Sequence, residues 1–330
     1  MFYPLILYKI TLLLLLSSFC LSYLLTPIAQ NLALRFNVLD TPNYRKIHKS
    51  PTPLLGGLAI FLGFLFTLAF FYLIISYQLF ITGPAFFSFG EEKLFWLKMA
   101  LYLICSLFII LIGILDDFKS LDFKLKLLIQ SLVAFIMVFS GSRLNFFHLS
   151  YLNALISFFW IVGLTNSFNL LDNMNGLSSG LAIIILSLFA FLAYTTHHAL
   201  FALFLLIPIG SLLGFLPYNF PKARIFLGDT GSLFIGFSLA TYSTWLFDHL
   251  IKSNTSHWAV LIEMLFLLFI PLCDTLTVIA IRLKKHHPIY VGDTNHLSHQ
   301  LVKRGLAPTK AVLILFMGSL LTGILGLLIF

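Results

Sequence analysis

Residues 54–80 read LLGGLAIFLGFLFTLAFFYLIISYQLF, a run without a charged side chain. Crossing the hydrocarbon core of a bilayer takes about 20 residues of α-helix, so this segment is long enough to span. Working outward from it, further apolar runs fall at 3–25, 94–115, 125–141, 151–165, 177–196, 199–217, 231–250, 258–281 and 311–330. The whole chain is 60% hydrophobic and 10% charged, with a mean hydropathy of +1.01. A water-soluble fold cannot bury that much apolar surface. The sequence therefore predicts an all-α integral membrane protein, a polytopic bundle of about ten transmembrane helices in a single domain over 1–330. The first run stays apolar through Tyr23, Leu24 and Leu25, past the point where a secretory signal would be cut, and is read as an uncleaved helix. Cys20, Cys105 and Cys273 all lie in apolar runs and read as small buried hydrophobes.

Charge sorts the loops. With spans alternating in direction, one set of loops carries Arg35, Arg45, Lys46, Lys49, Lys119, Lys124, Lys126, Lys222, Arg224, Arg282, Lys284, Lys285, Lys303, Arg304 and Lys310. The opposite side keeps Lys9, Lys93, Lys98, Arg143 and Lys252. The positive-inside rule places the first set in the cytoplasm and both termini outside. Asp40, Asp116, Asp117, Asp122, Asp172, Asp229 and Asp293 fall on that same basic side. Carboxylates among lysines and arginines at one membrane face suit a divalent cation held against a polyphosphate. The loops 26–53 and 282–310, both basic and rich in Pro, Gly and His, belong to this face.

Five elements carry the chemistry. Asp116-Asp117 ends the third span, and two adjacent carboxylates in a low-dielectric setting call for a cation or a shared proton. Asn166, Asn169 and Asp172 recur every third residue, which on a helix sets two amides and a carboxylate on one broad face; such a face lines a polar cavity or bonds to another helix. In Gly228-Asp229-Thr230-Gly231-Ser232 the glycines admit backbone close to a ligand, while Asp229 is a hard oxygen donor or a helix cap. His296 and His299, following Lys284 and Lys285, suit phosphate binding. The loop Asp40 to Pro53 presents Arg45, Lys46 and His48 between stiffening prolines, with Gly56-Gly57 next.

Together and in this order, these elements resemble the polyprenyl-phosphate N-acetylhexosamine-1-phosphate transferase family. Its Asp-x-Pro-Asn-x-Arg-Lys-x-His loop appears as Asp40 to His48, its Asp-Asp pair as Asp116 and Asp117, and its Asn-x-x-Asn-x-x-Asp as Asn166, Asn169 and Asp172. Its Gly-Asp-x-Gly-Ser appears as Gly228 to Ser232, its Pro-x-x-Asp-Thr as Pro271, Asp274 and Thr275, and its His loop as His296 and His299. The resemblance implies transfer of a sugar-1-phosphate, by default GlcNAc-1-phosphate, from a UDP-sugar to undecaprenyl phosphate with release of UMP. It implies Asp229 as ligand to Mg²⁺ (or Mn²⁺ in its place) and Asp116 or Asp117 assisting the metal or deprotonating the lipid phosphate. Asn166, Asn169 and Asp172 would line the nucleotide site, and Arg45, Lys46, His48, His296 and His299 would hold phosphates. The implied partners are a polyprenyl phosphate lipid, a UDP-sugar, the bilayer and a second copy in a homodimer, with no nucleic acid. The implied location is the inner (plasma) membrane, with the site at the cytoplasmic face, opening cell-envelope polysaccharide synthesis.

The chain departs from the family where Asp-Gly-x-Asp-Gly is replaced by Asp172-Asn173-Met174-Asn175-Gly176, and where Ser298 and Gln300 stand in place of a further His or Arg. These changes keep open a catalytically impaired homologue acting as a scaffold. A secondary transporter is the rival from another class, but it would place its polar groups near the midplane rather than at one face.

Overall fold

A computed structural model describes residues 2–42, 50–82, 89–252, 256–288 and 294–328. Arg45, Lys46 and His48 lie outside the described residues. The described helices are α1 (Phe2–Arg35), α2 (Gly56–Thr82), α3 (Phe89–Lys119), α4 (Phe123–Phe139), α5 (Ser150–Leu171), α6 (Leu177–Thr195), α7 (Ala199–Asn219) and α8 (Gly228–Lys252). They continue with α9 (His257–Leu267), α10 (Phe269–Lys284), α11 (Leu297–Lys303) and α12 (Pro308–Leu327). A short antiparallel pair, β1 (Leu39–Asp40) with β2 (Thr52–Pro53), ties the ends of the first basic loop, Leu39 opposite Pro53 and Asp40 opposite Thr52. The described part of each apolar run falls mainly on helix. Among the described residues seven helices are long and apolar enough to cross a membrane, or eight when α9 and α10 count as one broken span.

α8 is the axis of the bundle. From Thr230 to Phe247 every residue is buried, so none of its faces meets lipid. That explains why α8 is less apolar than its neighbours: its hydroxyls serve other helices, as small polar residues do inside membranes. Ser238 shares a 2.6 Å hydrogen bond with Tyr102 of α3, the Tyr242 hydroxyl donates to Tyr102 at 2.6 Å, and Trp160 of α5 donates to Ser243 at 2.9 Å. The lipid-facing positions are the opposite, with Leu24, Leu128 and Met317 all well exposed on α1, α4 and α12.

The structure revises several expected boundaries. α1 runs ten residues beyond the apolar stretch, through Pro27 to Arg35, because Ala29 and Ala33 extend its buried stripe by one more turn, Ala29 in the main core and Ala33 packed with Val38 and Leu55. α5 continues to Leu171, so Asn166 and Asn169 lie on the helix and not in a loop. The expected ninth span is broken: α9 and α10 meet at Leu268 with a 75° bend. Pro271 lies in the first turn of α10, where a missing N–H costs nothing and a continuous helix would have needed it. The loop 282–310 also contains a helix, α11.

Backbone contact brings α2 onto α8. Gly56 N–H donates to the Phe226 carbonyl at 3.0 Å and Gly57 N–H to the Leu227 carbonyl at 2.9 Å. A Cβ on Gly57 would overlap the backbone of Gly231, so this approach requires glycine.

Candidate active site

The ends of α3 and α5, the first turns of α10 and the starts of α4, α8 and α11 meet at one end of the bundle. Asp116 and Asp117, neighbours at the end of α3, point to different tasks. Asp117 caps α8: its Oδ1 accepts the Asp229 N–H at 2.7 Å, and its Oδ2 accepts the Thr230 N–H at 3.2 Å and the Thr230 hydroxyl at 2.5 Å. These are orphan donors of a helix start, and a carboxylate there is also favoured by the helix dipole. Gly228 permits the turn into α8 with a φ of +72°.

Asp116 turns the other way. Its Oδ1 accepts the Leu121 N–H at 2.7 Å, while its Oδ2 meets Lys126 Nζ at 3.2 Å. The same ammonium lies 2.9 Å from Asp229 Oδ2. Lys126 therefore bridges carboxylates from two helices. It stands just inside the start of α4, whose N-cap Asp122 accepts the Lys124 N–H at 3.2 Å.

The amides of α5 each reach a neighbouring helix. Asn166 donates to Gln130 of α4 at 2.5 Å and to the Val162 carbonyl at 2.8 Å, and Asn169 donates to Ser232 of α8 at 2.9 Å. The helix ends at Asp172, whose carboxyl is pushed well above the usual carboxylate range, first by burial and then by the charges of Asp229, Asp117 and Asp40. The following turn is pinned: Gly176 N–H donates to Asn219 at 2.8 Å, and Asn219 donates to the Ile225 carbonyl at 2.9 Å.

The His loop is fixed by the broken span. Asp274, 1% exposed, accepts from the Leu297 N–H at 2.6 Å and pairs with His296 Nδ1 at 2.7 Å, and His296 itself is 3% exposed. Thr275 pairs with Ser167 of α5 at 2.7 Å, and Ser167 donates to the Pro271 carbonyl at 2.9 Å. His299 is half-buried, its ring centroid 6.2 Å from that of His296. Ser298 donates to Asn173 at 2.6 Å, which sets α11 against the turn after Asp172.

Among the expected site residues, Asp116, Asp117, Asn169, Asp172 and Asp229 are thus gathered together, Asn166 stands one turn away, and His296 and His299 are joined to them through Asp274 and Asn173. Gln130 was not singled out from the sequence, Lys126 entered only as a loop charge, and Ser232 only as the last residue of its motif. A signal for Lys126 was present: a lysine in the first turn of a helix faces the unfavourable end of the dipole and calls for a carboxylate partner.

Among the described residues no three His, Cys, Asp or Glu side chains are arranged to hold a metal. The donor chemistry nevertheless fits Mg²⁺, which is commonly held by one or two carboxylates together with substrate phosphates rather than by a full protein cage. Asp116 and Asp229 already converge on one cation, the Lys126 ammonium.

The glycosyl transferase family 4 profile matches residues 99–247, the stretch from α3 to α8 that supplies Asp116, Asp117, Asn166, Asn169, Asp172 and Asp229. A probable undecaprenyl-phosphate N-acetylglucosaminyl 1-phosphate transferase of Bacillus subtilis is 34% identical over 303 residues, covering 89% of this chain and 78% of that protein. Undecaprenyl-phosphate alpha-N-acetylglucosaminyl 1-phosphate transferases of Yersinia pestis and Escherichia coli K12 are each 24% identical, over 315 and 328 residues. They cover 91% and 95% of this chain, and 79% and 82% of their own lengths.

Proposed function

Because the chain belongs to the polyprenyl-phosphate N-acetylhexosamine-1-phosphate transferase family, we propose that it transfers GlcNAc-1-phosphate from UDP-GlcNAc to undecaprenyl phosphate. An oxygen of the lipid phosphate attacks the β-phosphorus of the donor, the bond from that phosphorus to the oxygen shared with the α-phosphate breaks, and UMP leaves. The observation that carries this reading is the convergence of Asp116 and Asp229 on one cation position at the end of the bundle where α3, α4, α5 and α8 meet. Phosphoryl transfer of this kind is mostly positioning and charge neutralisation.

Asp116 and Asp229 would hold Mg²⁺, which would supply charge neutralisation for the diphosphate. Asp117 keeps Asp229 in place through the start of α8. Asn169 and Asp172 line the nucleotide side, and Asn166 steadies α5 against α4. His299, with Arg45, Lys46 and His48 of the first basic loop, binds phosphate; His296 shapes that part of the site from its place on Asp274. Basic residues at the same end support a cytoplasmic site in the plasma membrane with both termini outside. A lipid acceptor fits a site at the ends of helices, since its tail stays in the bilayer throughout. The product would open assembly of an envelope polysaccharide.

The test is UMP release by purified protein in detergent with Mg²⁺, undecaprenyl phosphate and UDP-GlcNAc. Release should need all three and vanish in Asp229→Asn. Folded protein that gives no lipid-dependent UMP with UDP-GlcNAc or a panel of related UDP-sugars would overturn the transferase reading and favour a scaffold.

A further inference from the structure

Lys126 occupies an unusual place for a lysine. It lies in the first turns of α4, where its own helix dipole opposes a positive charge, and its ammonium is held by carboxylates of two other helices, Asp116 of α3 and Asp229 of α8. The distances, 3.2 and 2.9 Å, put Nζ between one oxygen of each. These are the same two carboxylates that would hold a hard divalent cation. Two cations cannot share the position between them, since their repulsion acts in a partly buried, low-dielectric setting.

We infer that Lys126 is an internal counter-ion that holds the cation position between Asp116 and Asp229 in the donor-free protein and yields it when the metal-bound donor enters. This deepens the cation reading of the site and rests on it. The side chain is built for exchange: lysine carries a compact charge on a flexible stem, without the rigid fork that fixes arginine to a carboxylate. Its side chain is 21% exposed, so it is not sealed in among the carboxylates. Once displaced, the ammonium remains tethered one helix away and faces the incoming diphosphate, which supplies a new anionic partner. Two consequences follow. Metal alone binds weakly, because it must evict Lys126 with nothing to compensate the ammonium. Metal with donor binds well, because the diphosphate takes over that role.

The experiment measures Mn²⁺ affinity of the full chain in detergent without nucleotide, by electron paramagnetic resonance of free Mn²⁺, for wild type, Lys126→Gln, Lys126→Met and Lys126→Arg. Thermal unfolding with and without Mn²⁺ is followed in parallel. Gln and Met should bind Mn²⁺ at least roughly tenfold more tightly than wild type, the scale expected from removing one charge at contact distance. Arg should stay weak. Gln and Met should also unfold earlier without metal, as two facing carboxylates lose their counter-ion, and gain more than wild type from Mn²⁺. Equal or weaker Mn²⁺ binding by folded Gln and Met variants overturns the inference, since Lys126 would then be a fixed structural bridge. If wild type still releases UMP, the transferase reading survives that result. No Mn²⁺ binding in any variant overturns the inference together with the cation reading.

Discussion

Ser298 donates a 2.6 Å hydrogen bond to the side-chain carbonyl of Asn173, and these are two of the positions at which the chain departs from its family's motifs. The asparagine stands where Asp-Gly-x-Asp-Gly has its first glycine, and the serine stands in the His loop. Both residues are at least partly buried, and Asn173 is further held by its own bond to the Leu170 carbonyl at 3.0 Å. The two departures therefore make one contact, between α11 and the turn after Asp172. That favours an adapted site over a decayed one.

A double-mutant cycle tests it. Ser298→Ala and Asn173→Ala should each lower the rate of UMP release, and the double variant should be little worse than either single one. A neutral buried hydrogen bond contributes about 1 kcal/mol, so the coupling should appear as roughly a fivefold departure from multiplicative effects. Strictly multiplicative losses would show that the contact does not matter to the site.

Asp117 makes a stability prediction that Asp116 does not. It satisfies two backbone donors and a hydroxyl at the start of the central helix. Asp117→Ala leaves these groups unpaired, at a cost of about 1–3 kcal/mol for a buried donor without a partner. Thermal unfolding in detergent should show a clear loss for Asp117→Ala, a smaller one for Asp117→Asn, which retains one acceptor, and little for Asp116→Asn. Equal stability of all three would argue that Asp117 faces the substrate instead.

How far the sequence could be read follows from the range of each interaction. Spans are local: a run such as 199–217 is long and apolar enough to cross a membrane whatever surrounds it, and the described part of each of the ten runs falls mainly on helix. The break at Leu268 was hidden because 258–281 is apolar on both sides of Pro271, and hydropathy carries no direction. The cluster of Asp116, Asp117, Asp172 and Asp229 was legible from motif order. The division of labour between Asp116 and Asp117 was not, because it depends on which neighbour meets α8, a contact spanning more than a hundred residues of sequence. The partners of Lys126 were hidden for the same reason, the lysine itself having entered only as one more basic-loop charge. Arg45, Lys46 and His48 lie outside the described residues, so their phosphate role rests on the motif.

Gly57 sets how closely α2 approaches the start of α8. Its N–H bonds the Leu227 carbonyl, and a methyl group there would collide with the backbone of Gly231, which cannot rotate away as a side chain could. Gly57→Ala should therefore shift the turn that presents Asp229, costing about 1–3 kcal/mol or more in stability and most of the UMP release. Gly163, where an added Cβ meets nothing, is the control: Gly163→Ala should unfold and react as wild type does. Matching behaviour of the two variants would show that the α2–α8 contact yields easily and does not position the site.

Asp172 gives the pH dependence. Burial and the nearby charges of Asp229, Asp117 and Asp40 hold its carboxyl well above the usual range, so the folded, ligand-free protein prefers it neutral. In the unfolded chain it titrates near 3.9. Between that value and the raised one the folded state binds the extra proton, so stability falls as pH rises through this window and the full penalty is present above it. Asp172→Asn removes the penalty while keeping size and an acceptor oxygen. The ligand-free variant should melt higher than wild type, with the gain larger at pH 8 than at pH 5, even as UMP release is lost. A variant less stable than wild type at both values would mean that the Asp172 carboxylate is a charged, favourably paired group.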